Sequence, residues 1–143
     1  MDEKIITTIF KLDNMLRRVN NRVAAVLGAT QQQWAILNIL NEAGPNGLPL
    51  SDIGAHLDVT KGNVTGLIDR MERDELTKRK GDTTDRRVVL ASITPRGKKV
   101  LNEIKPIRDE ITKRIFQGFS AKDKKEFVAY LDRLVERLAD LES

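Results

Sequence analysis

Apolar residues recur at spacings of three and four over residues 4–27, at Ile5, Ile9, Leu12, Leu16, Val19, Val23 and Val26. That period predicts an amphipathic helix, with Gly28 as its C-terminal stop. Thr30, followed three residues later by Gln33, is a capping-box pattern. The run WAILNIL after it predicts a second, largely buried helix, ended by the breaker cluster Gly44-Pro45-Asn46-Gly47. Residues 50–76 hold two more helical patterns. Ile53 and Leu57 mark a short helix; Val64, Leu67, Ile68 and Met71 mark a second. Asp58-Val59-Thr60 turns the chain between them, and Thr60 is placed to cap the second helix through its hydroxyl. Two helices joined by so short a turn form a helix-turn-helix.

The period then changes. Residues 77–80 and 88–93 are compatible with strands, and VVLASI at 88–93 is apolar and rich in β-branched residues. Gly81 to Asp85 between them have turn chemistry, so a β-hairpin follows the helix-turn-helix. Thr94 caps a further helix with Pro95 at its first position, where the missing N–H costs nothing. Val100, Leu101, Ile104, Ile107, Ile111 and Ile115 form its apolar side, with Pro106 as an interior kink or break. Ser120 caps the last helix, with Asp123 placed to answer it. Phe127, Leu131, Leu134, Leu138 and Leu141 then alternate spacings of four and three, a coiled-coil-like seam. The expected fold class is mainly α with a small β-hairpin wing. A winged helix-turn-helix domain is expected over residues 30–99, and helices over 1–29 and 100–143 as a dimerisation region. The terminal helices carry more apolar face than one small winged domain covers, which makes a second copy of the chain the expected partner.

Composition narrows the chemistry. At 143 residues the chain suits one domain, or a domain with appended helices, and with 4% aromatics its core must be mostly aliphatic. The absence of cysteine removes disulfides and thiolate zinc sites. A lone histidine, His56, leaves no ordinary metal site, and it reads as a surface or half-buried helix residue. There is no Gly-rich phosphate loop and no spaced nucleophile and base, so neither an enzyme nor a cofactor is expected. No apolar run is long enough to cross a bilayer and no signal-peptide pattern is present, so the expected location is cytoplasmic, away from the membrane.

Charge then singles out one segment. Residues 76–99 carry eight cations (Lys78, Arg79, Lys80, Arg86, Arg87, Arg96, Lys98, Lys99) against Asp82 and Asp85, a net of +6. The whole chain carries +4, so the rest sums to −2. A basic patch on a near-neutral body is the footprint of a polyanion-binding surface.

The order of motifs over residues 50–97 resembles the MarR family of winged helix-turn-helix transcriptional regulators. Ser51 to Leu57 resembles the family's Glu-Leu-Ala-x-x-Leu helix, and Val64 to Glu72 (VTGLIDRME) its recognition helix. Leu76-Thr77-Lys78-Arg79 is similar to the strand that follows. Asp85-x-Arg87, then Ile93-Thr94-x-x-Gly97, is similar to the family's Asp-x-Arg … Leu-Thr-x-x-Gly signature. Two positions depart from the pattern. Gly66 stands where the family often has a basic residue, and Glu75 where a glycine commonly ends the recognition helix. The resemblance implies a double-stranded DNA-binding regulator acting as a homodimer on a pseudopalindrome. It further implies a repressor relieved by a small-molecule effector whose pocket lies where the dimer helices meet the winged domain; Met15 and Trp34 are candidates to border it. Trp34 also reads, independently, as a core residue.

The N-terminal residues of the second helix of a helix-turn-helix reach base edges in the major groove. Thr60, Lys61, Gly62, Asn63, Thr65, Gly66 and Arg70 are therefore the expected contacts. Asn63 suits adenine, Thr65 a thymine methyl or a phosphate, and Lys61 a phosphate. The glycines allow close backbone approach. On the wing, Lys78, Arg79 and Lys80 are expected at phosphates. The resemblance makes Arg87 the minor-groove residue, Asp85 its salt-bridge partner, and Arg86 an exposed neighbour that shares the role. The competing reading is a winged-helix protein-interaction module whose basic wing binds an acidic partner.

Overall fold

The computed structural model describes residues 1–143. Each helix begins and ends where local chemistry allows. Helix α1 (Asp2–Leu27) closes on Gly28, which adopts the left-handed conformation. Helix α2 (Gln31–Ala43) opens on the expected capping box, with reciprocal bonds between Thr30 and Gln33. Strand β1 (Leu48–Pro49) leads directly into α3 (Leu50–Leu57), and the turn to α4 (Lys61–Arg73) passes through Asp58 in the left-handed region. Strands β2 (Thr77–Gly81) and β3 (Val89–Ile93) form the hairpin. Helix α5 (Pro95–Ile115) starts on Thr94, whose hydroxyl accepts from the Gly97 N–H at 2.9 Å. The last helix, α6 (Ala121–Glu142), opens on the Ser120–Asp123 capping box.

The sheet has the order β1-β3-β2, antiparallel throughout. Strand β1 is not predicted from the sequence: two residues, one of them a proline, carry no alternation to read. The proline fits because β1 is an edge strand and has no ladder partner on its outer side. Thr77 pairs with Ile93 and Arg79 with Ala91 across the hairpin, which fixes the register.

The core lies among α2, α3, α4 and the sheet. Ile36, Leu37 and Leu40 of α2 meet Ile53 of α3, and Val64, Leu67, Ile68 and Met71 of α4, with Ala91 and Ile93 of β3. These are the apolar positions that set the helical period, so the face of α4 that packs inward is the one the spacing predicts. Two compact units divide the chain, residues 1–105 and 106–143. Pro106, read from the sequence as a kink or break, does not end α5, which continues through it to Ile115. No residue of α1 or α6 is buried in the single chain. No helix is long and apolar enough to cross a membrane.

Candidate nucleic-acid interface

Helix α4 buries Val64, Leu67, Ile68 and Met71 on one side and exposes its first turns on the other. Thr60 caps it, its hydroxyl accepting from the Asn63 N–H at 3.3 Å. That bond satisfies one of the first-turn N–H groups that no helix can satisfy internally. Lys61, Gly62, Asn63, Thr65 and Arg70 are exposed, and Gly66 is half-buried. A Cβ built at either Gly62 or Gly66 would meet no protein atom within 4 Å. Neither glycine is demanded by the packing of this chain, and each weakens the helix by up to about 1 kcal/mol relative to alanine. The Thr65 hydroxyl donates back to the carbonyl of Lys61 at 3.0 Å.

The wing loop is ordered by its two aspartates. Asp82 accepts from the backbone N–H of Thr84 at 3.3 Å, an Asx-type turn. Asp85 accepts from the backbone N–H of Arg87 at 3.0 Å and from its Nε at 3.3 Å. The backbone N–H of Arg87 is the larger cause, and its guanidinium the second, of an Asp85 carboxyl held below its ordinary range. The Arg87 side chain is nonetheless 90% exposed. Its Nη2 also donates to Oδ2 of Asp85 at 3.4 Å, so an arginine normally free to sample many rotamers is tethered at both its backbone and its guanidinium while remaining largely in solvent. Arg86 beside it is exposed.

The three cations of β2 do not act alike. Lys78 and Lys80 are exposed, as expected of phosphate contacts. Arg79, expected with them, is turned instead onto α4. Its Nη2 donates to Oδ1 of Asp69 and, at 3.3 Å, to the carbonyl of Thr65, and its Nε lies 3.7 Å from Glu72. The reason is strand alternation: Arg79 shares a face of β2 with the buried Thr77. Asp69 and Glu72 are not among the residues expected from the sequence, although their spacing from Thr65 places all three on one stripe of α4.

Trp34 packs against the core cluster, as its core reading expects. Met15 lies on α1 with 45% of its surface exposed. His56 is exposed on α3.

Comparison with known proteins agrees with this architecture. The model of the MarR family matches residues 29–89, from the start of α2 to the beginning of β3. The transcriptional activatory protein BadR of Rhodopseudomonas palustris is 30% identical over 141 residues, covering 97% of this chain and 81% of BadR. The crystal structure of the S. aureus MepR–DNA complex superposes with a TM-score of 0.82 at 21% identity, covering 92% of this chain and 94% of MepR. CouR from Rhodococcus jostii RHA1, bound to p-coumaroyl-CoA, gives a TM-score of 0.81 at 20% identity, covering 93% of this chain and 92% of CouR. With its helix-turn-helix, its hairpin wing and, over 97% of its length, a 30% identical relative, the chain belongs to the MarR family of winged-helix transcriptional regulators.

Proposed function

We propose that the protein binds double-stranded DNA as a homodimer on a pseudopalindromic operator and represses transcription until a small molecule releases it. Helix α4 enters the major groove. Asn63 and Thr65 address base edges, Gly62 and Gly66 let the backbone close in, and Thr60, Lys61 and Arg70 engage phosphates. Lys78 and Lys80 neutralise further phosphates. Arg87, steadied by Asp85 and flanked by Arg86, enters the minor groove, where A·T tracts concentrate negative potential.

One observation carries this reading. The tip of the wing presents an arginine almost fully in solvent, yet tethered to Asp85 through both its backbone and its side chain. Holding the side chain in advance lowers the ordering cost when a ligand binds.

Two such lobes centred about one helical turn apart, roughly 34–36 Å, would read the two halves of one site. MepR bound to DNA, a protein of the same fold, supports the DNA partner. CouR bound to p-coumaroyl-CoA supports an effector. Residues 1–29 and 100–143 are the dimerisation region in this reading, and Met15 and Trp34 remain the candidates for the effector site.

The test is selection of binding sites from random duplexes at a fixed salt concentration, followed by a salt titration on the selected site. The expected result is a palindromic consensus and an affinity that falls steeply as salt rises. Arg87→Ala should weaken binding at least tenfold. Unchanged DNA binding by that variant would favour an acidic protein as the partner of the wing.

A further inference from the structure

The strand entering the wing carries Lys78, Arg79 and Lys80 in succession; the outer two are exposed and Arg79 is half-buried. Arg79 is held by three residues of α4: the carboxylate of Asp69, the carbonyl of Thr65 at 3.3 Å, and Glu72 at 3.7 Å from its Nε. Two of these partners are acidic, so the guanidinium adds no net charge to the surface around it. We infer that Arg79 is a positioning residue, which locks the wing to the recognition helix and makes no phosphate contact of its own. This rests on the DNA-binding reading above.

The mechanical need for such a lock follows from the backbone. Helix α4 and strand β2 are joined through the helix end, where Leu76 N–H bonds to the carbonyl of Met71. The base of the hairpin is fixed further by the burial of Thr77, Ala91 and Ile93 and by the pairing of β3 with β1. Beyond that base, Arg79 ties the strand two residues past Thr77 back to the middle of α4. Its planar guanidinium turns Nη2 to Asp69 and the Thr65 carbonyl while Nε faces Glu72, a spread over two nitrogens that a lysine's single ammonium cannot reproduce. A helix in one groove and a wing in the next must be held to within about 0.5 Å and 10–20° to bind together productively.

The two roles for Arg79 make opposite forecasts for its partner. If Arg79 touched phosphate, Asp69→Asn would release it and remove a negative charge, so binding would hold or tighten. If Arg79 positions the wing, Asp69→Asn loosens the wing and binding weakens. The experiment measures binding of the full chain by fluorescence anisotropy, on the duplex selected by the wild type and on a random duplex, over a range of salt. The variants are Asp69→Asn, Arg79→Lys, their double, and Lys80→Ala, all kept well below their melting temperatures. Positioning predicts a tenfold or greater loss on the selected duplex for both single variants, and a double no weaker than the worse single. It also predicts little change on the random duplex and an unaltered salt slope, where Lys80→Ala reduces the slope by about one. Wild-type affinity retained by Asp69→Asn overturns the inference, and so does an Arg79→Lys variant that binds like the wild type. Should Asp69→Asn fail to fold, the charge-conserving Arg79→Lys variant decides alone by the same readings. A wild type that binds neither duplex defeats the DNA reading itself, which is a separate result.

Discussion

The backbone at Gly97 passes so near the carbonyl of Leu76 that a Cβ there would lie 2.2 Å from that oxygen. The same carbonyl accepts from the Thr94 N–H at 3.1 Å, and the Thr94 hydroxyl donates to the carbonyl of Glu75 at 2.6 Å. The start of α5 is thereby pinned to the end of α4, and the Thr-x-x-Gly pattern has a physical meaning. Thr94 makes the hydrogen bonds, and Gly97 makes the space. Because the obstacle is main chain, it cannot yield as a flexible side chain would. Gly97→Ala should destabilise the protein by about 2 kcal/mol or more, read as a lower urea midpoint at unchanged slope. A midpoint equal to the wild type's would mean that the two segments are further apart than this.

Helix α4 ends in a Schellman motif with an unusual residue at its turning point. Leu76 N–H reaches the Met71 carbonyl, Glu75 N–H reaches that of Glu72, and Glu75 has φ of 61°. A side chain in that region costs about 1–2 kcal/mol, of which glycine's greater chain entropy would return about 0.5–1. Glu75→Gly should therefore raise stability by about 0.5–1 kcal/mol, or a few degrees of melting temperature. Glu75→Ala keeps the Cβ and should show no such gain. Equal stabilisation by both variants would trace the effect to the glutamate's charge instead.

At Gly66 stability and function should part company. A Cβ there meets open space, so Gly66→Ala should stabilise α4 by up to about 1 kcal/mol. The same methyl group stands on the surface proposed to approach the bases, and should weaken binding to the selected duplex about tenfold. Unfolding and anisotropy measured on one preparation separate the two effects. Higher stability with unchanged affinity would remove Gly66 from the interface.

How much of this was legible beforehand varied with the kind of signal. Caps were readable because they are short, local and chemically specific: Thr30 with Gln33, Thr60, Thr94 and Ser120 with Asp123 all act as expected. The buried face of α4 followed from spacing alone, and Val64, Leu67, Ile68 and Met71 are buried. Strand β1 was not legible, because its only support is the partner it finds in β3 through Leu48 and Pro49. The ion pairing of Arg79 was not legible in the charge run, because alternation along β2 divides Lys78, Arg79 and Lys80 between two faces and the partners of Arg79 lie on α4. The role of Gly97 was visible only as a motif, since the Leu76 carbonyl it must avoid is twenty-one residues earlier in the chain.

The Asp85–Arg87 contact sets an expectation for pH. Asp85 carries a lowered value because its charged form accepts the Arg87 N–H groups, so the folded wing binds that proton less readily than the unfolded chain does. The ordering it provides is fully present above the ordinary carboxyl value of 3.8 and is lost as pH falls through the lower folded value. Near neutral pH it should not vary. The Arg87 amide resonance, followed by NMR on acidification, should titrate with a midpoint below 3.8. A midpoint at or above that value would show that the bonds to Asp85 do not persist in solution.

The terminal helices lead to the last expectation. The α6 seam is uncovered in the single chain: Phe127, Leu131, Leu134, Leu138 and Leu141 are 45, 38, 37, 59 and 82% exposed. Val128 and Val135 widen the same apolar face at 54 and 64%. Monomeric proteins rarely leave so continuous an apolar surface in water, and a helix with no buried residue draws little stability from packing. A second copy of the chain, meeting the seam with its own terminal helices, would cover it. The wild type should therefore sediment as two copies at micromolar concentration. Leu134→Asp, which puts a charge in the middle of the seam, should shift it toward one copy. If the proposed two-lobed reading of DNA holds, the same variant should lose most of its affinity for the full palindrome while keeping weak binding to a half-site. Wild-type protein that sediments as a single copy would remove the dimer and the two-half-site reading together, and leave each winged domain to act alone.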